Sequence, residues 1–335
     1  MSSDTPLLFS IIVPVYNRRD EVAELLASLE KQSDKGFEVI IVEDGSTEPC
    51  EKECSNAKGI DIAYHYKDNE GRSIARNYGM ERAGGDYFIF VDSDCILPPD
   101  YIEKLRESLS NNYVDCFGGP DSAHESFSPL QKAINFAMTS FLTTGGIRGG
   151  KISMEKFTPR TFNMGFSKDV YNKVGGFREM FSEDIDMSTR IKQADFSITL
   201  FPEVKVFHKR RVSLKKFWKQ VHVFGMSRIT LQLLYPGSMK AVHWLPAVFT
   251  TGSAALVAGS FITPWLISPL ALYMFLIWVT ASVKNKSLKI GSLAVPASMV
   301  QLWGYGTGFL RAYFWKIILR HGRDINDEII RRKGK

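Results

Sequence analysis

The chain has 335 residues, of which 44% are hydrophobic and 23% charged, so it can fill the cores of about two globular domains. Its formal net charge of +6 allows a nucleic acid, an anionic membrane surface or a phosphorylated substrate as partner. The cysteines at 50, 54, 95 and 116 have no paired CxxC spacing, which argues against a zinc cluster or a disulfide framework and favours a reducing compartment. The N-terminus lacks the pattern of a secretory signal, so we expect the first half of the chain in the cytoplasm.

Strand and helix patterns alternate along the first half of the chain. A strand pattern over residues 9–15 is followed by a helix pattern in which Val22, Leu25, Leu26 and Leu29 recur at i, i+3, i+4 and i+7. The same alternation continues with strands at 38–42, 60–66 and 87–91, and with helices near 48–57 and 70–83. This order predicts an α/β fold with a mostly parallel sheet and helices on both faces.

Polar residues follow the predicted strands where ligands of such sheets bind, beyond the carboxyl ends. These ends read Pro14-Val15-Tyr16-Asn17, Glu43-Asp44-Gly45-Ser46, Asp68-Asn69-Glu70-Gly71-Arg72 and Asp92-Ser93-Asp94. An aromatic ring, acids, glycine and arginine together suit a nucleoside diphosphate. Because unpaired carboxylates are costly to bury, the two aspartates at 92 and 94 suggest a site for Mg²⁺ or Mn²⁺. The alternative is that they cap the helix expected after Pro98.

Two other nucleotide-binding designs fit poorly. The dinucleotide fold needs GxGxxG after its first strand, and this chain has no glycine in the stretch from Pro14 to Asn17. Residues 145–151 nearly form a phosphate loop, but Ile152 stands where Ser or Thr should bind Mg²⁺. We therefore interpret residues 145–151 as a glycine-rich loop.

The chain resembles family 2 inverting glycosyltransferases with the GT-A fold, from about Ser10 to His208, in four motifs: Pro14-Val15-Tyr16-Asn17, Glu43-Asp44-Gly45-Ser46, Gly71-Arg72-Ser73-Ile74-Ala75-Arg76-Asn77 and Asp92-Ser93-Asp94. The resemblance implies that Asp94 and His208 bind the cofactor Mn²⁺ or Mg²⁺, and that the nucleotide is bound by Pro14, Tyr16, Asn17, Asp44, Arg72 and Asp92. It implies that Asp184 is the general base and that Glu183 orients its neighbours. It also implies that Asn163 and Gly165 lie at the donor sugar and acceptor.

Each implied role has a structural alternative. Tyr16 could pack, Asp44 could be a turn residue, and Arg72 could be a solvated cation at a helix start. His208 could be a packed histidine after a strand, and residues 163–165 could form a turn. Residues 183–190 also read as a capped amphipathic helix, in which Asp186 could be a solvated acid.

The implied reaction is a single displacement on a nucleotide-sugar, so an α-linked donor gives a β-glycoside. The cation would stabilise the departing diphosphate, and Asp184 would take the proton of the attacking hydroxyl. UDP is the nucleotide expected from the resemblance, with GDP and dTDP left open. The sugar, the acceptor linkage and the oligomeric state are not predicted.

The composition changes after His208. Lysines and arginines alternate with apolar residues over residues 209–221, which predicts an amphipathic helix on anionic lipid, with a nucleic-acid patch as the alternative. Residues 241–283 contain no Asp, Glu, Lys or Arg and are long enough for two membrane crossings that turn at Thr263-Pro264. Lysines at both ends of this hairpin predict that the catalytic domain faces the cytoplasm at an inner membrane.

The predicted domains are a catalytic domain at 1–208, a basic amphipathic linker at 209–240, a transmembrane hairpin at 241–283 and an interfacial or re-entrant helix with a basic tail at 284–335. The last segment is apolar over 292–314 but is expected to be broken at Pro296, and whether it crosses the membrane is left open. A second apolar helix near residues 130–142 could face the headgroups or lie under the sheet.

Attachment to a membrane favours a lipid-linked saccharide or glycolipid as acceptor, in cell-envelope polysaccharide synthesis. The sequence after Gln220 departs from the Gln-x-x-Arg-Trp motif of processive synthases, so we expect addition of one sugar. The alternatives are a polyprenyl-phosphate glycosyltransferase, with a lipid phosphate as acceptor, and a noncatalytic protein that binds sugar nucleotides. Nucleic acid is not an expected partner.

Overall fold

A computed structural model describes residues 7–122, 127–145, 157–209 and 212–321 of the chain. The chain divides into two compact units. One comprises Met1–His124 and Ser153–Lys209, and we call it the sheet unit; the other comprises Glu125–Ile152 and Arg210–Lys335, and we call it the helical unit. The boundaries of the four predicted domains remain predictions.

The sheet unit is built on a mixed sheet of seven strands in the order β3-β2-β1-β4-β8-β6-β9. Its strands are β1 (Phe9–Val15), β2 (Phe37–Asp44), β3 (Asp61–Lys67), β4 (Tyr87–Phe90), β6 (Cys116–Gly118), β8 (Met164–Ser167) and β9 (Ile198–Leu200). The first four run parallel to one another, whereas β8 runs antiparallel to both of its neighbours. The prediction of a mostly parallel sheet is confirmed.

Helices cover both faces of this sheet, as predicted. Alternate residues of β1 point to opposite faces, so that Ile11 packs with Leu25 of α1 (Arg19–Leu29), whereas Ile12 packs with Ala75 of α3 (Arg72–Met80). The unit's other helices are α2 (Glu51–Asn56), α4 (Tyr101–Asn111), α7 (Lys168–Val174) and α8 (Glu183–Gln193).

A second sheet of three short strands lies beside the first in the same unit. It contains β5 (Cys95–Ile96), β7 (Asp121–Ser122) and β10 (Val206–His208), with β10 between the other two. In the antiparallel register His208 is opposite Cys95. Residues far apart in sequence, near 95 and near 208, therefore meet at one place.

The start of one helix and the capping of another differ from what the sequence allowed. The helix expected over 70–83 is α3 and begins only at Arg72, because Gly71 has φ +101° and the backbone before it is bound by a side chain of β2. The helix after Pro98 begins at Tyr101, with Asp100 at its N-cap. Asp92 and Asp94 do not cap it.

The α-helices in the described part of the helical unit are α5 (Pro129–Thr139), α6 (Phe141–Thr144), α9 (Leu214–Leu234), α10 (Leu245–Ser260), α11 (Ser268–Asn285) and α12 (Leu288–Ala312). α12 lies at its centre and packs against α5, α9, α10 and α11. The helix near residues 130–142 packs within the helical unit, where Ala133 and Phe136 of α5 lie in one apolar cluster with Ile277 and Ala294.

Glycines let α12 approach its neighbours closely. A Cβ at Gly308 would lie 2.0 Å from the carbonyl oxygen of His222 in α9, and one at Gly306 would lie 2.3 Å from that of Pro246. Contacts this short require the backbones to be nearly touching. The helix is also continuous through Pro296, so the predicted break there is wrong.

Two described stretches are long and apolar enough to cross a membrane, Ala241–Ser260 and Pro264–Asn285. Each begins with a short 3₁₀ turn and continues as α10 or α11, and the chain turns at Thr263. Their side chains are mostly exposed, including Phe261 and Trp265 near the turn. By length and composition they support the predicted hairpin only weakly.

Lys215, Lys216 and Lys219 of α9 are exposed, whereas Phe217 and Val221 are buried within the unit. The apolar side of this predicted amphipathic helix is thus covered by protein, and its lysines remain available to an anionic surface.

Candidate functional site

Asp94 and His208 meet where the second sheet joins the end of β4. The side-chain Oδ1 of Asp94 lies 3.1 Å from Nε2 of His208, and the backbone N–H of Lys209 donates to the Asp94 carbonyl. The His208 ring also stacks on Phe162, with ring centroids 4.8 Å apart. The two side chains predicted as metal ligands are therefore adjacent, and each is about 15% exposed.

Cys95 is close to both of these side chains. One potential ligand atom from each of Asp94, Cys95 and His208 lies within 4.8 Å of the other two. Burial raises the pKa of the Cys95 thiol well above its usual range, so the sulfur stays protonated. A neutral thiol suits Mn²⁺ or Mg²⁺ poorly, whereas carboxylate oxygen and imidazole nitrogen are ligands for Mn²⁺. Asp94 and His208 thus fit a divalent cation of this kind.

Asp44 organises the loop that precedes α3. Its carboxylate is 3% exposed and accepts hydrogen bonds from the backbone N–H groups of Glu70 and Gly71, at 3.0 and 2.8 Å. Lys67 also donates to it at 2.9 Å. Three bonds from its own chain occupy much of this carboxylate, so Asp44 shapes the strand-end loop.

Tyr16 and Asn17 continue from the end of β1. Tyr16 is 52% exposed and is available for stacking, whereas Pro14 is half-buried within the strand. Asn17 has φ +53°, and its side-chain oxygen accepts a hydrogen bond from the Thr47 N–H while its own N–H donates to Ser46. Asn17 thereby ties the end of β1 to the loop after β2.

Four charged side chains form a network between β4 and α8. Arg76 donates to Asp92 at 2.8 Å and to Glu183 at 2.9 Å, and Arg72 donates to the other oxygen of Glu183 at 2.7 Å. Arg76 and Glu183 are almost fully buried, whereas Asp92 is one-third and Arg72 half exposed. The network brings the nucleotide-binding candidates Asp92 and Arg72 to the base motif.

Asp184 is on the first turn of α8, directly after Glu183. Arg160 donates to its Oδ2 at 3.1 Å, and the Ile185 N–H donates to its Oδ1 at 2.8 Å. Burial would raise the pKa of Asp184, but the charge and hydrogen bond of Arg160, with the Ile185 N–H, outweigh burial and hold the pKa below its usual range. Asp184 is therefore an ionised carboxylate at neutral pH.

The next acid, Asp186, is buried, so the alternative that it is a solvated acid is wrong. It is fully buried and forms ion pairs with Arg178 at 3.2 Å and Arg190 at 2.9 Å. These ion pairs indicate a structural role for Asp186 in α8.

Asn163 and Gly165 are placed inside the protein. The Asn163 amide is fully buried, accepts from the Tyr101 hydroxyl at 2.7 Å and donates to the Val204 carbonyl at 2.7 Å. Gly165 is in the middle of β8, where a Cβ would lie 2.4 Å from the Phe117 ring. In this structure the two residues support the sheet, and neither presents a side chain to a sugar.

Three cations at the site had no role predicted from the sequence: Arg76, Arg160 and Lys67. Arg76 is within the quoted Gly71–Asn77 motif, four residues after Arg72 and hence on the same helix face, which was a usable signal. Arg160 and Lys67 had no signal of this kind, because their partners Asp184 and Asp44 are 24 and 23 residues away in sequence.

Residues 10–175 match a family model described as glycosyl transferase family 2. An uncharacterised glycosyltransferase of Rickettsia felis is 40% identical over 107 residues, which are 31% of this chain and 18% of that protein. The glycosyltransferase GlyA of Streptococcus pneumoniae is 36% identical over 108 residues, 32% of this chain and 16% of GlyA.

The glycosyltransferase TuaG of Bacillus subtilis, named for teichuronic acid biosynthesis, is 34% identical over 132 residues, 38% of this chain and 52% of TuaG. The matches thus span about half, or much less, of these relatives. Among solved structures, the mannosyltransferase PcManGT of Pyrobaculum calidifontis, in complex with GDP-Man and Mn²⁺, has a TM-score of 0.60 over 89% of this chain and 88% of its own. At 16% identity this likeness shows a shared fold.

Proposed function

The chain belongs to glycosyl transferase family 2, and on that premise we propose that it moves one sugar from a nucleotide-sugar to a hydroxyl of a membrane-linked saccharide or glycolipid. The observation that carries this proposal is the Arg76 network. The Arg76 side chain bridges Asp92, which is close in sequence to the metal candidate Asp94, and Glu183, which directly precedes Asp184. Donor, cation and base candidates thereby converge. We take UDP as the first nucleotide to test.

The donor would bind across the ends of β1, β2 and β4. Tyr16, half exposed, would stack on the base, and the Asp44 loop would face the base edge. Pro14 and Asn17 would hold this edge in shape, and Arg72, also half exposed, would approach the diphosphate. Asp92 keeps one-third of its side chain exposed and would contact the ribose or the sugar.

Asp94 and His208 would hold Mn²⁺ or Mg²⁺, in keeping with their 3.1 Å separation and with the Mn²⁺ found in PcManGT. A divalent cation there supplies positive charge beside the departing diphosphate. The chain's own contribution is the fixed placement of two candidate ligands, Asp94 in the turn just before β5 and His208 at the end of β10. Such preorganised charge lowers the barrier because it needs no rearrangement during the reaction.

Asp184 would act as general base. Its ionised carboxylate would accept the proton of the acceptor hydroxyl as that oxygen attacks the anomeric carbon, and the carbon's bond to the nucleotide diphosphate would break on the opposite face. One displacement inverts the configuration. Glu183 is held by two guanidinium groups and would orient this turn of α8 without itself taking the proton.

The membrane would supply the acceptor. The apolar stretches Ala241–Ser260 and Pro264–Asn285 would form a hairpin in an inner membrane, with the lysines that flank it on the cytoplasmic side. The catalytic unit would then have access to cytosolic sugar nucleotides. Likeness to TuaG supports a role in cell-envelope polysaccharide synthesis.

The test is nucleotide release by the purified, detergent-solubilised chain across a panel of UDP-, GDP- and dTDP-sugars, with Mn²⁺ or Mg²⁺ and membrane lipid extract. We expect one donor to be consumed in a reaction that needs metal and lipid, and that is lost in Asp94→Ala but kept in Asp61→Ala, an exposed acid of β3. If no donor is consumed or bound, the proposed function is wrong.

The acceptor chemistry is tested separately with Asp184→Asn. A hydroxyl acceptor needs a base, so the transfer rate should fall severely, whereas a lipid phosphate is already ionised and should lose less. A mild loss would favour the polyprenyl-phosphate alternative.

A further inference from the structure

Arg76 places a charge in the interior of the sheet unit. Its side chain is 1% exposed, and its two terminal nitrogens donate to different partners, Glu183 at 2.9 Å and Asp92 at 2.8 Å. The ring of Phe177 lies 5.6 Å from the guanidinium carbon. Removing a guanidinium from water is costly, and a buried ion pair is weak evidence of a stabilising role. Its geometry therefore calls for another account.

The two partners of Arg76 belong to different parts of the proposed mechanism. Asp92 follows β4, two residues before Asp94, and Glu183 is the first residue of α8, directly before Asp184. A planar guanidinium fixes both direction and distance when it bridges two carboxylates. One side chain thus sets the position of the base turn relative to the strand end that carries the aspartates.

The start of α8 has an unusual need for such support. Ser182, at its N-cap, has φ +64°. A serine in this left-handed conformation is strained and must be held by surrounding contacts. The bonds from Arg76 and Arg72 to Glu183 hold the residue that follows Ser182 from inside the unit.

We propose that Arg76 is a positioning residue for sugar transfer, which acts through Glu183 and Asp92 to hold Asp184 at the working distance from the donor. The inference rests on the proposed function, since it assigns Asp184 as the base. It implies that transfer depends on Arg76 more strongly than nucleotide binding does. A structural role would instead affect folding and both functions together.

The test replaces the buried pair by apolar residues, in Arg76→Met with Glu183→Leu, because such replacements often preserve stability. We expect the melting temperature to stay near the native value and the Kd for UDP or GDP with Mn²⁺ to change little, since Asp92 remains partly solvated. The kcat for transfer should fall about 100-fold, because a displacement of about 1 Å can have this effect.

A second variant covers the case in which the double variant does not fold. Arg76→Lys keeps the charge but can no longer bridge both carboxylates as a planar fork, so kcat should again fall with little change in nucleotide Kd. The control is Arg190→Met with Asp186→Leu, a pair on the same helix whose side chains are 12% and 0% exposed. It should retain most of its kcat when folded.

A folded Arg76 variant that transfers sugar at the native rate would overturn the inference. So would a loss of kcat that the control pair reproduces in full, since that would show a general need for buried pairs in α8. The native chain run in parallel separates the two proposals: if it consumes no donor, the proposed function fails; if it is active, only the role of Arg76 is being tested.

Discussion

At the scale of single residues, the site is defined by which charges are paired. His208 stacks on Phe162 and contacts Asp94, so both the ligand role and the packing role predicted for it have a structural basis. Arg160 likewise has a charged partner, since it forms an ion pair with Asp184. Substitutions that keep one property and remove the other can separate these roles.

His208→Phe retains the aromatic packing and removes the ring nitrogens. If His208 is a metal ligand, the Mn²⁺ concentration for half-maximal nucleotide release should rise at least about tenfold, because even outer-shell changes at metal sites have effects of this size. The measurement is a metal titration at saturating donor. His65→Phe, in β3, is the control. An unchanged metal titration for His208→Phe would leave packing as the role of His208.

Arg160→Gln should shift the pH dependence of transfer. The base is active when ionised, so activity is present above the pKa of Asp184 and is lost as the pH falls through it. Arg160 contributes most to lowering that pKa, and burial opposes it. Without Arg160 the pKa rises, and the acid limb of the kcat/KM profile should move to higher pH.

Arg178→Gln is the control for this shift, because Arg178 pairs with Asp186 and not with Asp184. Its acid limb should coincide with that of the native chain. An acid limb that stays in place in Arg160→Gln would count against Asp184 as the titrating base.

At the scale of secondary structure, Gly165 illustrates how a strand restricts a side chain. In the middle of β8 it allows Phe117 of β6 and the backbone of β4 to approach, with a hypothetical Cβ 2.8 Å from the Phe88 carbonyl oxygen. The family resemblance placed this residue at the sugar. The sheet gives it a packing role instead.

Gly165→Ala should therefore reduce the free energy of unfolding by roughly 1–3 kcal/mol, the usual effect of overpacking a core. Thermal unfolding of the purified chain measures this. Gly84→Ala is the matched control, since its Cβ would meet only Glu38 atoms at ordinary contact distance, 3.5 Å or more. Native stability with lost transfer would restore the sugar-contact role.

The central helix α12 shows the same effect in the helical unit. Pro296 predicted a break, yet the helix continues because neighbouring helices enclose it on several sides and tertiary packing outweighs the loss of one hydrogen bond. The glycines at 304, 306 and 308 serve as contact points with α9 and α10. Sequence periodicity does not reveal which neighbours a helix will have.

At the scale of the whole molecule, the apolar hairpin should govern attachment to membranes. Leu276 is near the middle of α11 and 43% exposed, and Val283 is near its end and 73% exposed. If the hairpin crosses a bilayer, a charge at its centre costs about 2.5–3.5 kcal/mol, whereas a charge near the end can reach the headgroups.

Leu276→Lys should consequently lower the fraction of chain that is inserted, measured as resistance to carbonate extraction from membranes. Val283→Lys is the matched control and should insert like the native chain. Equal extraction of Leu276→Lys and the native chain would argue against a membrane crossing by α11.

Local sequence patterns were enough to predict the order of strands and helices in the first half of the chain, the covering of both sheet faces and the strand ends where Tyr16, Asp44, Asp92 and Asp94 lie. These follow from local periodicity and from the geometry of parallel sheets. The pairing of charges, in contrast, became apparent only in the folded chain. Arg76 with Glu183, Arg160 with Asp184 and Lys67 with Asp44 are separated by 107, 24 and 23 residues, and such pairings arise from folding rather than from local pattern.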